Sequence, residues 1–194
     1  MLGIVLCGGQ SSRMGSDKGL LELNEMKWVE TATDKINKLL LSFFISVNKN
    51  QLKEYSSLFS PEQLIVDNDS LQLKGPLCGL LSMHLKFPGE DLLVLACDMP
   101  LMETELLQKL LSRCDQDESY DAFVYTNDGE PEPLCGIYKA KGLASIYNLY
   151  KSNQLQKHSV KYMLEHISTF AIPLPEDKKS CFRNFNTHAE LNGL

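Results

Sequence analysis

Short apolar runs alternate with helix-like stretches along the whole chain, and this alternation restricts the fold more than any other feature. The first run, residues 2–7, is continuously apolar, as a parallel strand buried on both faces should be. Strands are predicted at residues 2–7, 43–47, 64–66, 91–97, 121–125, 134–138 and 169–172, and helices at 28–41, 77–85, 105–112, 141–150 and 159–166. We therefore expect a three-layer α/β/α, Rossmann-like fold with a mostly parallel sheet.

The boundaries of some elements follow from local signals. Thr104 is expected to cap the helix that follows it, and residues 126–133 should form a polar loop between two strands. Thr187, with Glu190 three residues later, predicts a capped helix after Asn186. The proline-bearing stretch 173–179 is the best candidate for a domain boundary, but too little chain follows it for a second core. We expect one domain, residues 1–194.

Composition and charge exclude several classes of protein. With 43% hydrophobic and 23% charged residues, the chain resembles an ordinary globular protein, and it has no apolar run of the roughly 20 residues that cross a membrane. The first residues lack a secretory pattern, so a cytoplasmic location is expected. The net charge of −6 argues against a nucleic-acid partner. The six cysteines have no zinc-like spacing and should be buried free thiols.

A glycine-rich segment with two cations follows the first predicted strand. Gly8 and Gly9 permit a sharp turn and close approach of a ligand to the backbone, while Arg13 and Lys18 can meet phosphate. A strand, a glycine loop and a helix in this order often bind phosphate. Neither the Walker pattern nor the Gly-x-Gly-x-x-Gly pattern fits. The segment indicates an anion site, with a merely structural turn as the alternative.

Asp98 follows the strongest predicted strand, residues 91–97, at the end where open α/β sheets bind ligands. A carboxylate there can coordinate Mg²⁺, although an aspartate ahead of Pro100 can also cap a helix. Asp67 and Asn48 end two further predicted strands. Asp67 is a candidate to contact a nucleoside, and a simple turn role is nearly as good an explanation for it; the same turn role is open for Asn48.

Four segments together resemble the molybdenum cofactor guanylyltransferase family of the MobA-like nucleotidyltransferases. They are the segment from Leu6 to Leu21 with the pattern Leu-x-Gly-Gly-x-Ser-x-Arg-Met-Gly-x-Asp-Lys-x-Leu-Leu, then Gly75-Pro76-Leu77-Cys78-Gly79-Leu80, Ala96-Cys97-Asp98-Met99-Pro100 and Asn184-Phe185-Asn186-Thr187. The resemblance spans nearly the entire chain. It departs from the family at residues 24–28, where Asn-Glu-Met-Lys-Trp replaces a Gly-Lys-Pro segment, and at Cys78, which replaces an alanine.

The resemblance implies roles for particular residues. Arg13, Lys18 and Asp98 would be catalytic, with Asp98 holding Mg²⁺, and Asn184 and Asn186 would contact the acceptor. GTP would be bound by Leu6, Cys7, Gly8, Gly9, Lys18, Asn48, Asp67, Gly75 and Asp98. No side-chain base is needed, because a terminal phosphate is already largely ionised at neutral pH. His84, His166 and His188 are therefore expected to be structural.

The resemblance predicts transfer of GMP from Mg²⁺-GTP to molybdenum-molybdopterin, which releases pyrophosphate. The Gly8-Gly9 pair favours guanylyl transfer, since cytidylyl relatives usually have Ala-Gly there. GTP and molybdenum-molybdopterin would be the partners, along with proteins that deliver molybdopterin. The alternatives are a cytidylyl- or sugar-phosphate nucleotidyltransferase of the same fold, or a non-catalytic nucleotide-binding regulator.

Overall fold

The structure is a computed structural model, and it describes residues 1–8 and 17–185 of the 194-residue chain. The predicted final helix, with Thr187 and Glu190, lies outside these residues. In chain order, the strands of the described part are β1 Leu2–Leu6, β2 Glu22–Leu23, β3 Met26–Lys27, β4 Phe43–Val47, β5 Leu64–Val66, β6 Leu92–Ala96, β7 Ala122–Asn127, β8 Glu130–Tyr138 and β9 Thr169–Pro173. The α-helices are α1 Trp28–Asn37, α2 Leu52–Tyr55, α3 Pro76–Lys86, α4 Thr104–Gln116, α5 Ala140–Lys151 and α6 Val160–Leu164.

The main sheet has seven strands in the order β5-β4-β1-β6-β8-β7-β9. β8 is antiparallel to both of its neighbours, and every other pairing in the sheet is parallel. β1 lies between β4 and β6, so the ends of these three strands meet at one edge. The prediction of a mostly parallel sheet is confirmed.

Helices cover both faces of the sheet, which confirms the three-layer prediction. Side chains of β1 alternate between the two cores, with Val5 on one face and Ile4 on the other. The first core holds buried residues of α1 and α4, such as Ile36 and Leu107. The second core holds buried residues of α3, α5 and α6, such as Leu80. This arrangement leaves the strand ends for function.

All five helices predicted within the described residues are present, and each has at least one boundary that differs from the prediction. Two of these differences have a local cause. α1 ends at Asn37 rather than at residue 41, because the chain turns at Leu40, which has φ +60° and is 94% exposed. Thr104 is the first residue of α4 and not its cap. Glu103 precedes the helix without capping it through its side chain, and that carboxylate instead pairs with Lys178 at 2.5 Å.

The predicted polar loop at residues 126–133 is wrong, because β7 and β8 extend through it as a hairpin. Thr126 pairs with Pro131, and Asn127 with Glu130. The turn consists of Asp128 and Gly129, with φ values of 51° and 82°. Asp-Gly is favoured in a two-residue hairpin turn with two positive φ angles. The sequence analysis assigned the segment to a loop because most of its residues are polar, although Asp128-Gly129 is a hairpin-turn sequence.

All six cysteines are buried and free, as predicted. Within the described part of the chain, no helix is long and apolar enough to cross a membrane. The small β2–β3 hairpin and the short helix α2 were not predicted; both are too short to give a periodic pattern.

His84 is a buried titratable group in α3. It is 4% exposed, and its Nδ1 has no hydrogen-bond partner among the described residues. Burial lowers the pKa of His84 below its ordinary value of 6.5. The imidazole is therefore a neutral part of the core, as the sequence predicted for a structural histidine.

We expect His84 to make stability depend on pH. As the pH falls through about 6.5, the unfolded chain takes up a proton that the folded chain resists, so the free energy of unfolding decreases. The limit is about 1.4 kcal/mol per pH unit. Urea unfolding at about pH 7.5 and pH 5.5 should show a smaller decrease for His84→Leu than for the wild type. Equal decreases would contradict the assignment.

Candidate functional site

The candidate site lies where parallel strands end beside one another. In the sheet, Leu6 of β1 is aligned with Ser46 of β4 and with Ala96 of β6. Val47 of β4 is aligned with Val66 of β5. The residues immediately beyond these strands are therefore neighbours, and they include Gly8, Asn48, Asp67 and Asp98.

A cavity of about 620 Å³ opens on the β4–β5 side of this edge. Three residues predicted to bind nucleotide, Asn48, Asp67 and Gly75, line it together. Its remaining walls are polar and cationic as well as apolar, and are formed by Lys49, Asn50, Asn68, Asp69, Leu73, Lys74 and Cys78. Its size falls within the range typical of small-molecule sites.

Asp67 is partly buried at the junction between this cavity and the end of β1. Its carboxylate accepts a hydrogen bond from the Ser46 hydroxyl at 3.4 Å. A Cβ placed on Gly8 would lie 3.5 Å from Asp67 Oδ2, so the carboxylate faces Gly8. Burial raises the pKa of Asp67, against the opposing effect of Ser46. Once ionised, this group can only accept hydrogen bonds from a ligand.

Asn48 forms the turn between β4 and α2. Its Oδ1 accepts from the backbone N–H groups of Asn50 at 2.9 Å and Gln51 at 3.2 Å. The turn role considered from sequence is thus confirmed for Asn48. Its position on the cavity wall is also compatible with contact to a ligand.

Lys18 and Asp98 form an ion pair on the other side of β1. The distance between Lys18 Nζ and Asp98 Oδ2 is 2.9 Å, and each side chain is 20% exposed. The sequence separates these residues by 80 positions, and the fold brings them together. A partly desolvated cation and a carboxylate therefore lie next to the strand end that carries Gly8.

The second carboxylate oxygen of Asp98 is suited to a cation. Asp98 Oδ1 is buried and has no hydrogen-bond partner among the described residues. In the same part of the chain, no three His, Cys, Asp or Glu side chains are grouped to hold a metal. A metal on Asp98 would therefore need ligand oxygens from water and substrate, which is the usual coordination of Mg²⁺.

The C-terminal motif also reaches Asp98. The Phe185 N–H donates to the Asp98 carbonyl at 3.3 Å, so Asn184 lies beside the Asp98 loop. The Phe185 ring is fully buried and packs edge-on against Trp28, with ring centroids 6.1 Å apart. Trp28 belongs to the segment that departs from the family pattern, and here it packs against Phe185 of the C-terminal motif.

The Gly75–Gly79 motif has two separate physical functions. Gly75 has φ +73° and ψ −161°, which brings the chain into α3 at Pro76 along a path that favours glycine. Gly79 lets α3 approach the sheet, because a Cβ there would lie 2.3 Å from Ser46 Oγ. Together they place α3 against the floor of the cavity.

Several predicted site residues stand apart from these groups. The side chains of Leu6 and Cys7 are buried in the core, so a ligand could meet only their main-chain atoms. Arg13, Gly9 and Asn186 lie outside the described residues. His166 Nδ1 contacts the Tyr162 carbonyl at 2.9 Å, in keeping with a structural role.

Two polar residues near the site, Gln51 and Lys35, were missed by the sequence analysis. Gln51 contacts the ends of both β1 and β4. Lys35 of α1 donates to the Pro100 carbonyl at 2.7 Å and so supports the Asp98 loop; burial lowers the pKa of Lys35 to about 8. Neither residue belongs to a local pattern, because each acts on a distant segment.

Comparison with known proteins gives a consistent result. Residues 3–167 match the family model described as the MobA-like NTP transferase domain. A molybdenum cofactor guanylyltransferase of Shewanella loihica is 35% identical over 98% of this chain and 93% of its own. A relative in Methanothermobacter thermautotrophicus, named probable molybdenum cofactor guanylyltransferase, is 34% identical over 96% of this chain and 95% of its own.

A solved structure shows the same fold. The molybdopterin-guanine dinucleotide biosynthesis protein A of Archaeoglobus fulgidus superposes with a TM-score of 0.77 at 23% identity, over 100% of this chain and 96% of that one. The three-layer architecture is therefore a known arrangement for such proteins.

Replacement of Gly75 by alanine tests the backbone requirement at the cavity. A Cβ at Gly75 would meet no atom within 4 Å, so any cost must come from the positive φ angle. We expect Gly75→Ala to lower the free energy of unfolding by about 1–3 kcal/mol. Gly89→Ala is the matched control, since that site is equally open and lacks a positive φ. Equal urea unfolding midpoints for the two variants would contradict the prediction that alanine is strained by the positive φ angle at position 75.

Proposed function

We propose that this chain, which belongs to the MobA-like NTP transferase family, transfers GMP from Mg²⁺-GTP to the terminal phosphate of molybdenum-molybdopterin. The products are molybdopterin guanine dinucleotide and pyrophosphate. The observation that carries the proposal is the Lys18–Asp98 pair beside Gly8, with a polar cavity on the other side of β1. Full-length relatives with the guanylyltransferase name support the choice of reaction.

The charges of the site support a nucleoside triphosphate that is bound with a metal ion. Asp67, Asp69 and Asp98 put negative charge along the strand ends, and a triphosphate adds more. Lys18, Lys49 and Lys74 only partly offset these charges. A divalent metal ion is a typical requirement of nucleotidyltransferases, and we propose that Asp98 holds Mg²⁺. When bound, Mg²⁺ neutralises charge on the phosphate oxygens.

The reaction needs positioning more than it needs a side-chain base. A phosphate oxygen of the acceptor attacks the α-phosphorus of GTP, the bond from that phosphorus to the bridging oxygen breaks, and pyrophosphate leaves with the electron pair. The attacking phosphate is already ionised near neutral pH. Lys18 is proposed to stabilise the negative charge that builds up on the departing pyrophosphate. Arg13 is proposed for the same task.

Asp67 and Asn48 are proposed to bind the nucleoside in the cavity. An ionised Asp67 accepts hydrogen bonds, which suits the N–H groups of guanine or the ribose hydroxyls. The backbone around Leu6, Cys7, Gly8 and Gly9 would contact the nucleotide from the β1 side, and Gly75 would permit close approach from the α3 side. We propose that the cavity takes guanine rather than cytosine, because the relatives are named guanylyltransferases and because the chain has Gly8-Gly9 where cytidylyl relatives usually have Ala-Gly.

Asn184 and Asn186 are proposed to meet the acceptor, since Asn184 adjoins the Asp98 loop. Proteins that deliver molybdopterin are proposed as partners. We further propose that residues 1–194 act as one domain, because a single seven-stranded sheet contains both β1, near the start of the chain, and β9, at residues 169–173.

Pyrophosphate release with molybdopterin and each nucleoside triphosphate in turn tests the proposed function. We expect release with GTP and little with CTP, ATP or UTP. Turnover with CTP but not GTP would identify a cytidylyltransferase. Triphosphate binding without pyrophosphate release would identify a regulator.

Two substitutions test the site residues in the same assay. Loss of one charged group that acts on the transition state typically costs about 10²–10³-fold in turnover. We expect losses of this size for Asp98→Asn and Lys18→Ala, with unfolding temperatures close to that of the wild type. Asp115→Asn and Lys109→Ala make the same chemical changes at exposed positions of α4 and should leave turnover unchanged. Full activity of Asp98→Asn would remove Asp98 from the proposed metal site.

A further inference from the structure

Gln51 is a buried amide that joins three segments around the candidate site. The residue is 9% exposed, and both ends of its side chain are used. Gln51 Nε2 donates to the Cys7 carbonyl at 2.9 Å and to Asp17 Oδ2 at 2.6 Å. Gln51 Oε1 accepts from the Asn48 N–H at 2.9 Å. One side chain therefore connects the end of β1, the end of β4 and the residue before Lys18.

Tyr55, one turn further along the chain in α2, holds the other oxygen of the same carboxylate. Its hydroxyl donates to Asp17 Oδ1 at 3.1 Å, and its side chain is fully buried. Burial raises the pKa of Tyr55 well above its usual value, so the hydroxyl remains a donor. The Gly19 N–H also donates to Asp17 Oδ1, at 3.0 Å. Asp17 thus caps the 3₁₀ turn Lys18–Leu20 from a fixed position.

This network bears on the geometry of Lys18. Lys18 directly follows Asp17 and reaches Asp98 across the strand ends. Gly8 directly follows Cys7, whose carbonyl is held by the same Gln51 amide. Gln51 therefore hydrogen-bonds both to the residue before Gly8 and to the residue before Lys18. A buried hydrogen-bonding group that loses its partners is destabilising, so the network should be sensitive to small changes.

We propose that Gln51 is a positioning residue for the triphosphate site, acting through Asp17 on Lys18 and through Cys7 on Gly8. The inference rests on the proposed function, because it assumes that Lys18 and Gly8 bind the triphosphate. The alternative is that Gln51 only stabilises the fold. If Gln51 positions the site, changing it should lower triphosphate affinity even in variants that remain as stable as the wild type, and the loss should depend on pH. If Gln51 only stabilises the fold, affinity and its pH dependence should match the wild type.

Gln51→Glu is the most informative single change, because it keeps the shape and replaces the amide donor with a carboxylate. Glutamate at this position would face the Asp17 carboxylate, and two carboxylates in contact cannot both ionise readily. At about pH 8 we expect affinity for Mg²⁺-GTP, measured calorimetrically without acceptor, to fall at least about tenfold. At about pH 6 the pair can share a proton, so the deficit relative to the wild type should shrink.

A double variant separates positioning from general damage. When Asp17→Asn is combined with Gln51→Glu, the amide now at position 17 can donate to the carboxylate now at position 51, which restores a hydrogen bond between the two side chains with its direction reversed. The double-mutant cycle should show favourable coupling, with affinity closer to the wild type than either single change gives. Tyr55→Phe removes only a hydroxyl and should lower affinity a few-fold. Glu54→Gln changes an exposed residue of the same helix and should leave affinity unchanged.

The measurements distinguish the inference from the function on which it rests. Unfolding temperatures of all variants identify any loss that is merely structural. If Gln51→Glu lowers stability while affinity and its pH dependence match the wild type, the positioning role is overturned. A pH-independent deficit without coupling in the double variant also overturns it. If the wild type binds GTP and releases no pyrophosphate with molybdopterin, the proposed function fails while the effect of Gln51 on affinity can still be measured.

Discussion

The parallel pairing of β1 with a strand on each side is the constraint on which the rest of the structure depends. Because β4 and β6 run in the same direction as β1, all three end at one edge. Short segments beyond these ends can therefore meet. Gly8, Asn48 and Asp98 become neighbours through this arrangement, although they are far apart in the sequence. Helices on both faces bury the strands and leave their ends accessible.

Much of the sheet could be predicted from the sequence. β4 and β5 have the predicted bounds, and β1 and β6 differ from the predictions only at their ends. Apart from Ser46 in β4, these strands consist of apolar residues and glycine because both faces are covered, so the pattern of residues directly reflects their environment. The glycines of the motifs were also informative, since Gly75 needs a positive φ and Gly79 needs close packing. The candidate site followed from residues at predicted strand ends.

Other features depend on contacts between distant residues and have no local signal. The Lys18–Asp98 ion pair needs the finished sheet, and Gln51 immediately precedes a helix of four residues that has no periodic pattern. Trp28 and Phe185 are 157 positions apart in the sequence and pack together only after the chain has folded. The β7–β8 hairpin, by contrast, does have a local signal, the Asp128-Gly129 turn. The polar residues around that turn nevertheless favoured the prediction of a loop.

The central claim is that Asp98 holds the metal ion while Lys18 and the glycine segment hold the triphosphate. Calorimetric affinity for GTP with and without Mg²⁺, in the wild type and in Asp98→Asn, tests it most directly. The account predicts that Mg²⁺ strengthens GTP binding to the wild type at least about tenfold, about 1.4 kcal/mol, and changes binding to Asp98→Asn little. An equal effect of Mg²⁺ on both proteins would contradict it.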